Sequence, residues 1–173
     1  MRLILAILII LSSSSVQAEL VKAKGIGRAL TKNLAIDELV DSAGIIFKGR
    51  LQTVTYKELD GLGLRQVKFK VLDPIKGVSS PELVLNEWAG TGSPMTEEVV
   101  KGIPYVFFYH EPSERGLTSL IGMDQGVVAV GRDNRVKFAQ RLSLKPKKRT
   151  LLQMIAGQPQ LDNYQSLKDY CSK

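Results

Sequence analysis

The chain has 173 residues, of which 44% are hydrophobic and 24% charged, and its 24 basic and 17 acidic residues give a net charge of +7. This composition excludes a disordered chain, because it supplies enough apolar side chains for a folded core. Cys171 is the only cysteine, so an intramolecular disulfide framework is excluded and the core alone must stabilise the fold.

The N-terminal residues have the pattern of a secretory signal peptide. Arg2 precedes an apolar run over residues 3–11, and Val16 and Ala18 stand third and first before a small-residue cleavage site. The run is shorter than the roughly 20 residues that a membrane-spanning helix needs, which disfavours the alternative of a retained anchor. We therefore expect residues 1–18 to be removed and the mature protein to be exported, either periplasmic or secreted.

A lead-in over residues 19–33 shows no clear periodicity and precedes a main domain over residues 34–140. The domain opens with an apolar stripe at helical spacing, which predicts a short helix and is formed by Ile36, Leu39, Val40 and Ala43. Either Thr31 or Asn33 is expected to cap the start of this helix.

From Ile45 onward the apolar period changes to two, which predicts β-strands. The first strand is expected to place Gly49 toward the core and Lys48 and Arg50 toward solvent. A glycine inside a strand commonly marks a bulge or a tight bend, which a small barrel needs in order to close. Gly49 is therefore expected to be a structural residue.

Further strands follow along the domain. The second alternates Val67, Phe69 and Val71 with polar residues and is expected to end at Pro74, which has no N–H for the ladder. The remaining predicted strands are residues 82–88, the strongly apolar residues 104–110 with both faces buried, residues 127–130, and a final short segment at residues 135–139.

Residues 141–173 are expected to form a basic linker and a C-terminal helical extension. No acidic residue lies between Ala139 and Leu161, and the basic residues in that interval are Arg141, Lys145, Lys147, Lys148 and Arg149. Helices are predicted over residues 150–157 and 161–170, the second with Asp162 and Gln165 as a capping box. The overall prediction is a mainly β fold, a small OB-like barrel of five to six strands with a helix before the first strand and helices at the C-terminal end.

The order of these features resembles the netrin-like domain of the tissue inhibitors of metalloproteinases, in an exported bacterial form. The resemblance covers residues 34–138 and uses scaffold positions, namely Gly49, Arg50, Leu51, Phe69, Val71, Lys76, Gly77, Gly102, Tyr105 and Phe108. The stretch GLTSLIGMDQGVVAV at residues 116–130 is similar to a segment that follows the barrel in such proteins. The resemblance implies an OB-type barrel in which Gly49, Phe69, Tyr105 and Phe108 have structural roles.

The same resemblance implies a protease inhibitor or a protease-associated module. In the animal inhibitors, the mature chain begins with a cysteine whose amino group and carbonyl chelate the protease zinc. The mature chain expected here begins near Glu19 and has no paired cysteines. The resemblance therefore does not carry that zinc-chelating mechanism over to this protein.

No constellation of residues indicates catalysis, a metal site or a cofactor. His110 is the only histidine, and no acidic residues stand at ligand spacing around it, so a structural role is expected. The carboxylate pairs Glu97/Glu98 and Glu111/Glu114 fall in predicted polar loops, where burial does not prepare them for acid–base chemistry. There is no serine nucleophile motif, and the stretch GIGRAL lacks the third glycine of a dinucleotide-binding loop.

Nucleic-acid binding is not expected either. Four cations are predicted to share the outward face of the first two strands: Lys48, Arg50, Lys68 and Lys70. Tyr56 is the only aromatic residue of matching parity on that face. Because single-stranded nucleic acid needs stacking aromatics beside such cations, this pattern is a poor match.

The sequence favours a non-enzymatic, exported binding module that contacts a protein or an anionic envelope component. The expected binding residues are Trp88, Lys145, Lys147, Lys148 and Arg149, with support from loops at residues 89–94 and 111–119. A solvated linker is the alternative interpretation of the basic residues. The alternative functions are a protease-associated module and an unrecognised hydrolase. The pattern leaves open whether Cys171 links two chains or is an unpaired thiol on a frayed end.

Overall fold

The computed structural model describes residues 32–59, 61–90, 99–140, 142–145 and 160–173. Its helices in these ranges are α1 (Ile36–Asp41) and α2 (Tyr164–Cys171), with a short 3-10 helix at Met123–Gly126. Its strands are β1 (Ile45–Leu59), β2 (Leu62–Lys76), β3 (Glu82–Trp88), β4 (Pro104–Tyr109), β5 (Leu117–Thr118), β6 (Val127–Val130) and β7 (Val136–Lys137). The predicted signal peptide, the predicted helix at 150–157 and the basic residues Arg141, Lys147, Lys148 and Arg149 lie outside the described residues.

Both helices are capped later in the chain than the sequence predicts, α1 at Ala35 rather than at Thr31 or Asn33 and α2 at Asn163 rather than at Asp162. Ala35 is the N-cap of α1, and its N–H donates to the Glu38 carboxylate at 3.1 Å, so the helix starts two residues later than a cap at Asn33 would place it. Asn163, rather than Asp162, caps α2, because its side-chain oxygen accepts a hydrogen bond from the Ser166 N–H at 2.9 Å. The neighbouring Asp162 is exposed.

The strands form one sheet of order β5-β3-β2-β1-β4-β6-β7. The β3–β5 pairing is parallel and the other pairings are antiparallel. The mainly β class is therefore confirmed, as are a helix before the first strand and a helix at the C-terminal end. Two features differ from the prediction, since the sheet has seven strands and does not close into a barrel.

β4 and β5 are not paired as strands, but isolated backbone hydrogen bonds join the residues at and beside their ends. The His110 N–H donates to the Ser119 carbonyl at 3.0 Å, and the Ile121 N–H donates to the Phe108 carbonyl at 3.0 Å. Tyr109 and Leu120 form an isolated bridge between these two contacts. Because β5 also pairs with β3, these contacts bring the two sides of the coiled sheet together, but no continuous ladder joins β4 to β5 and the sheet stays open.

Two cores lie on opposite faces of this sheet. The helix-side core, beneath α1 and α2, is formed by Ile36, Leu39, Ala43, Ile46, Val106, Phe108, Ile121, Val128, Val130, Leu142, Leu161, Tyr164, Leu167 and Cys171. The aromatic core, inside the coiled sheet, is formed by Ile45, Phe47, Leu51, Val67, Phe69, Leu85, Val99, Tyr105, Phe107, Tyr109 and Leu120. Since alternate residues of β4 enter different cores, this strand is buried on both faces, as its apolar sequence predicts.

Irregularities in the β1–β2 pairing bend both strands. Register shifts occur between Ile46 and Phe47, between Lys48 and Gly49, and between Leu51 and Thr53. Gly49 faces the aromatic core, and a Cβ built on it would lie 2.8 Å from Phe47 Cε2. This close approach leaves no room for a larger residue.

Pro74 does not end the second strand as predicted. It lies inside β2, opposite Phe47 and beside a register shift, and the strand continues to Lys76. A proline is tolerated there because the local irregularity of the ladder removes the need for its N–H.

Candidate functional site

Trp88 and Lys145, the two predicted binding residues that the structure describes, belong to different elements. Trp88 is the last residue of β3 and its side chain is 41% exposed. Lys145 is exposed and follows Ser143, whose backbone exchanges hydrogen bonds with Leu34 and Ile36 beside α1. The structure therefore gives each residue its own surroundings, and Trp88 stands at the end of one side of the sheet whose residues are mostly exposed.

That surface is the side of β1, β2 and β3 that faces away from the aromatic core, and we call it the outer face. Strand register makes direct neighbours of Arg50 and Lys70, of Thr53 and Lys68, and of Thr55 and Gln66. It likewise pairs Lys70 with Glu82, Lys68 with Val84, and Gln66 with Asn86. The outer face consists of Arg50, Thr53, Thr55, Lys57, Leu64, Gln66, Lys68, Lys70, Glu82, Val84, Asn86 and Trp88.

A bulge in β1 decides which residues belong to the outer face. The register shift between Leu51 and Thr53 inserts Gln52 and reverses the alternation beyond it. Tyr56 consequently stands opposite the buried Arg65, away from the outer face, and Lys57 takes the outward position. The predicted shared parity of Arg50 and Tyr56 is therefore wrong.

The first strand also places Lys48 differently from the prediction. Its side chain is partly buried, and Nζ lies 4.0 Å from the centroid of the Tyr164 ring in α2. This cation–π contact holds Lys48 beneath the C-terminal helix. Arg50, which lies two residues further along β1, is exposed as predicted.

Positive charge dominates the outer face. Arg50 and Lys70 are exposed and stand directly opposite each other, an arrangement that destabilises a sheet when nothing compensates it. Glu82 is the one carboxylate among the outer-face residues, and it bonds to Lys68 at 2.9 Å. The Arg50–Lys70 pair is therefore the place on this surface where two cations are direct cross-strand neighbours, with Glu82 opposite Lys70 on β3.

Two rows of side chains lie between this pair and Trp88. The first holds Thr53, Lys68 and the exposed Val84, and the second holds the uncharged polar residues Thr55, Gln66 and Asn86. The Gln66 amide donates to the Asn86 side-chain oxygen at 3.1 Å across the β2–β3 pairing. Thr53 and Thr55 are both exposed on the neighbouring strand. The hydroxyl and amide groups of this strip can each donate and accept hydrogen bonds.

A second polar cluster lies where β2 meets α2. Asp73 accepts hydrogen bonds from the Tyr164 hydroxyl at 2.7 Å and from Lys168 Nζ at 2.8 Å. Burial raises the pKa of the Asp73 carboxyl, but the hydrogen bonds from Lys168 and Tyr164 and the nearby lysine charges outweigh it and leave the pKa below its usual value. Burial, together with this carboxylate, raises the pKa of Tyr164. The cluster fastens α2 to the sheet.

Three polar side chains that no sequence motif marks are buried inside the coiled sheet. Glu87 accepts hydrogen bonds from Arg65 Nε at 2.8 Å and from the Tyr109 hydroxyl at 2.7 Å. Arg65 Nη2 lies 2.7 Å from the same carboxylate, as an ion-pair contact without hydrogen-bond geometry. Burial first, and then the Glu87 carboxylate, raise the pKa of Tyr109 well above its usual value. These groups are too buried to meet a ligand, so their role is structural.

His110 is exposed, and its backbone is held by Thr118 and Ser119. Glu111 and Glu114 are also exposed, whereas Glu97 and Glu98 lie outside the described residues. Across the described ranges, no group of three or more His, Cys, Asp or Glu side chains is placed to hold a metal ion.

Cys171 is not on a frayed end. It is the last residue of α2, it is 7% exposed, and it packs into the helix-side core. Burial raises the pKa of its thiol to about 12. The thiol is unpaired, but the interpretation that it stands on a frayed end is wrong.

No helix among the residues that the structure covers is long and apolar enough to cross a membrane. Comparison with known proteins finds no family model that matches the chain and no curated protein with significant similarity to it.

Proposed function

We propose that this protein is a non-enzymatic binding module, exported from the cell that makes it, and that its outer face holds an anionic partner. The observation that carries the proposal is the direct pairing of Arg50 with Lys70 on an exposed part of the sheet. An anion placed between the two side chains would offset their mutual repulsion.

The chemistry of the two cations suits such a partner. The guanidinium of Arg50 can hold a carboxylate or phosphate through two parallel hydrogen bonds. Lys70 adds a point charge beside it, and Lys68 is already committed to Glu82 at 2.9 Å. Binding is therefore expected to be centred on Arg50 and Lys70 and to weaken as salt screens their charges.

The basic linker is expected to assist binding to an anionic partner without being part of the proposed site. Lys145 is exposed, and Lys147, Lys148 and Arg149 follow it along the chain outside the described residues. These residues add positive charge to the protein as a whole, which favours encounter with any anionic surface. The proposed site does not require them.

The test compares two double variants of equal charge. Arg50→Glu/Lys70→Glu reverses the central pair, and Lys101→Glu/Lys137→Glu reverses two exposed lysines away from the outer face. Binding to immobilised polygalacturonate, to immobilised polyglutamate and to phosphatidylglycerol vesicles is measured at low and at raised ionic strength.

We expect the wild type to bind at least one of these probes, the outer-face variant to lose that binding, and the control variant to retain it. Equal losses in both variants would show that net charge alone is responsible and would contradict the proposed site. Failure of the wild type to bind any probe at low ionic strength would contradict the proposed function.

A further inference from the structure

We propose that the anionic partner is an acidic polysaccharide that lies along the outer face from the Arg50–Lys70 pair to Trp88. This inference rests on the proposed function and adds the chemical class of the ligand. It follows from the length of the surface, the chemistry of its middle and the aromatic residue at its end.

The surface is long enough for a chain-like ligand. Lys70 and Leu64 lie six residues apart on β2, and Leu64 is the direct partner of Trp88 on β3. At about 3.3 Å per residue, this places Trp88 roughly 20 Å from the Lys70 position along the strand direction. A single small anion at the cations would leave the rest of the outer face uncovered, whereas an extended chain would cover it.

Four of the six side chains in the middle of the outer face match sugar hydroxyl groups; the other two are Lys68, which pairs with Glu82 at 2.9 Å, and the exposed Val84. Thr53, Thr55, Gln66 and Asn86 present groups that both donate and accept hydrogen bonds, as hydroxyl groups do. The hydrogen bond of 3.1 Å between Gln66 and Asn86 orients both amides along the surface. An acidic sugar polymer carries carboxylates and hydroxyl groups on the same chain, and the outer face offers partners for both.

Trp88 stands in the row of Leu64 and the exposed Lys57 and gives this end of the surface an aromatic ring on which a sugar can stack. Its indole is 41% exposed and combines an apolar ring face with a polar N–H. A Cβ added to Gly90 would collide with Trp88 Nε1, so the glycine makes room for the indole to pack over the chain after β3. The indole therefore has a defined position rather than a freely turning one.

Other anionic partners fit the outer face less well. A lipid surface requires an apolar side to insert, but the strip between Val84 and Trp88 contains the hydrogen-bonded Asn86. An acidic peptide gains main-chain hydrogen bonds at the edge of a sheet, and these cations lie on its flat side. Nucleic acid requires successive stacking aromatics, and Trp88 is the one aromatic residue of the outer face.

The chain contains a single tryptophan, so its fluorescence reports on Trp88 directly. The full protein is titrated with two carboxylated polysaccharides, polygalacturonate and hyaluronate, with neutral dextran, with polyglutamate and with phosphatidylglycerol vesicles. We expect the polysaccharide acids to bind, to change the emission of Trp88 and to lose affinity about tenfold in Trp88→Leu, followed by calorimetry. We expect dextran not to bind and polyglutamate to bind more weakly, with the same affinity in wild type and Trp88→Leu.

The outcomes separate the two proposals. Preference for vesicles or polyglutamate over both polysaccharide acids, or binding of the acids without any effect of Trp88→Leu, would overturn the polysaccharide inference and leave the proposed function standing. If none of the anionic probes binds, both fail. Thermal unfolding of Trp88→Leu is measured in parallel, so that a folding defect is not mistaken for a binding defect.

Discussion

The Tyr109 hydroxyl donates a hydrogen bond of 2.7 Å to the Glu87 carboxylate, although β1 and β2 separate their strands in the sheet order. The contact is possible because the sheet coils until β4 and β3 approach each other across the aromatic core. Arg65, the direct neighbour of Glu87 on β2, completes the group at 2.8 Å. This buried ionic group thus links β3 to β4, two strands that are not neighbours in the sheet.

Glu87→Gln is expected to destabilise the protein by about 3–5 kcal/mol, because it leaves the Arg65 guanidinium buried without a counter-charge. Tyr109→Phe removes one hydrogen bond and keeps the ion pair, so its expected cost is about 1–3 kcal/mol. Urea unfolding followed by circular dichroism measures both. Equal costs for the two variants would show that the buried charge is not what matters here.

Gly49→Val is expected to impair folding and to leave the binding of the folded fraction unchanged. A Cβ at this position meets the Phe47 ring at 2.8 Å and the Lys70 carbonyl at 3.0 Å, and overpacking of a core typically costs about 1–3 kcal/mol. Gly63→Ala is the matched control, since a Cβ there meets Ala89 at an ordinary 3.4 Å. A fully stable Gly49→Val protein would contradict the predicted close approach.

The attachment of α2 is expected to weaken in acid. The folded-state pKa of Asp73 lies below its ordinary value of 3.8, so the carboxylate contributes stability above that value and loses it as the pH falls through the folded pKa. The stability difference between wild type and Asp73→Asn should therefore be largest near neutral pH and shrink in acid. A difference that grows on acidification would have the wrong sign for this account.

Native Cys171 is expected to react slowly with thiol reagents and to form no disulfide-linked dimer. Its thiol is buried in the helix-side core with a pKa raised to about 12, so little reactive thiolate is available. Labelling by a disulfide reagent should speed up many-fold in urea, and a non-reducing gel of native protein should show the monomer alone. Rapid labelling under native conditions would mean that α2 is detached from the core.

Much of the strand layout follows from local pattern. The predicted strands at residues 82–88 and 127–130 coincide with β3 and β6. A strand that buries one face shows alternating apolar and polar residues in its own sequence, so it can be recognised without knowledge of its partners. The apolar run at residues 104–110 likewise indicated burial on both faces of β4. The binding role predicted for Trp88 rested on its type and position; Trp88 is exposed at the end of β3, and the role itself stays a prediction.

By itself, the sequence determined the mainly β class, the flanking helices and the strands with clear alternation, since these depend on neighbouring residues. Only the tertiary structure decided the make-up of the outer face, because one extra residue, Gln52, turned Tyr56 away from it and Lys57 toward it. Only the tertiary structure likewise brought Glu87 to Tyr109 and Lys48 beneath Tyr164. Bulges, two-residue strands and contacts across a coiled sheet depend on partners far away in the chain, and no local pattern records them.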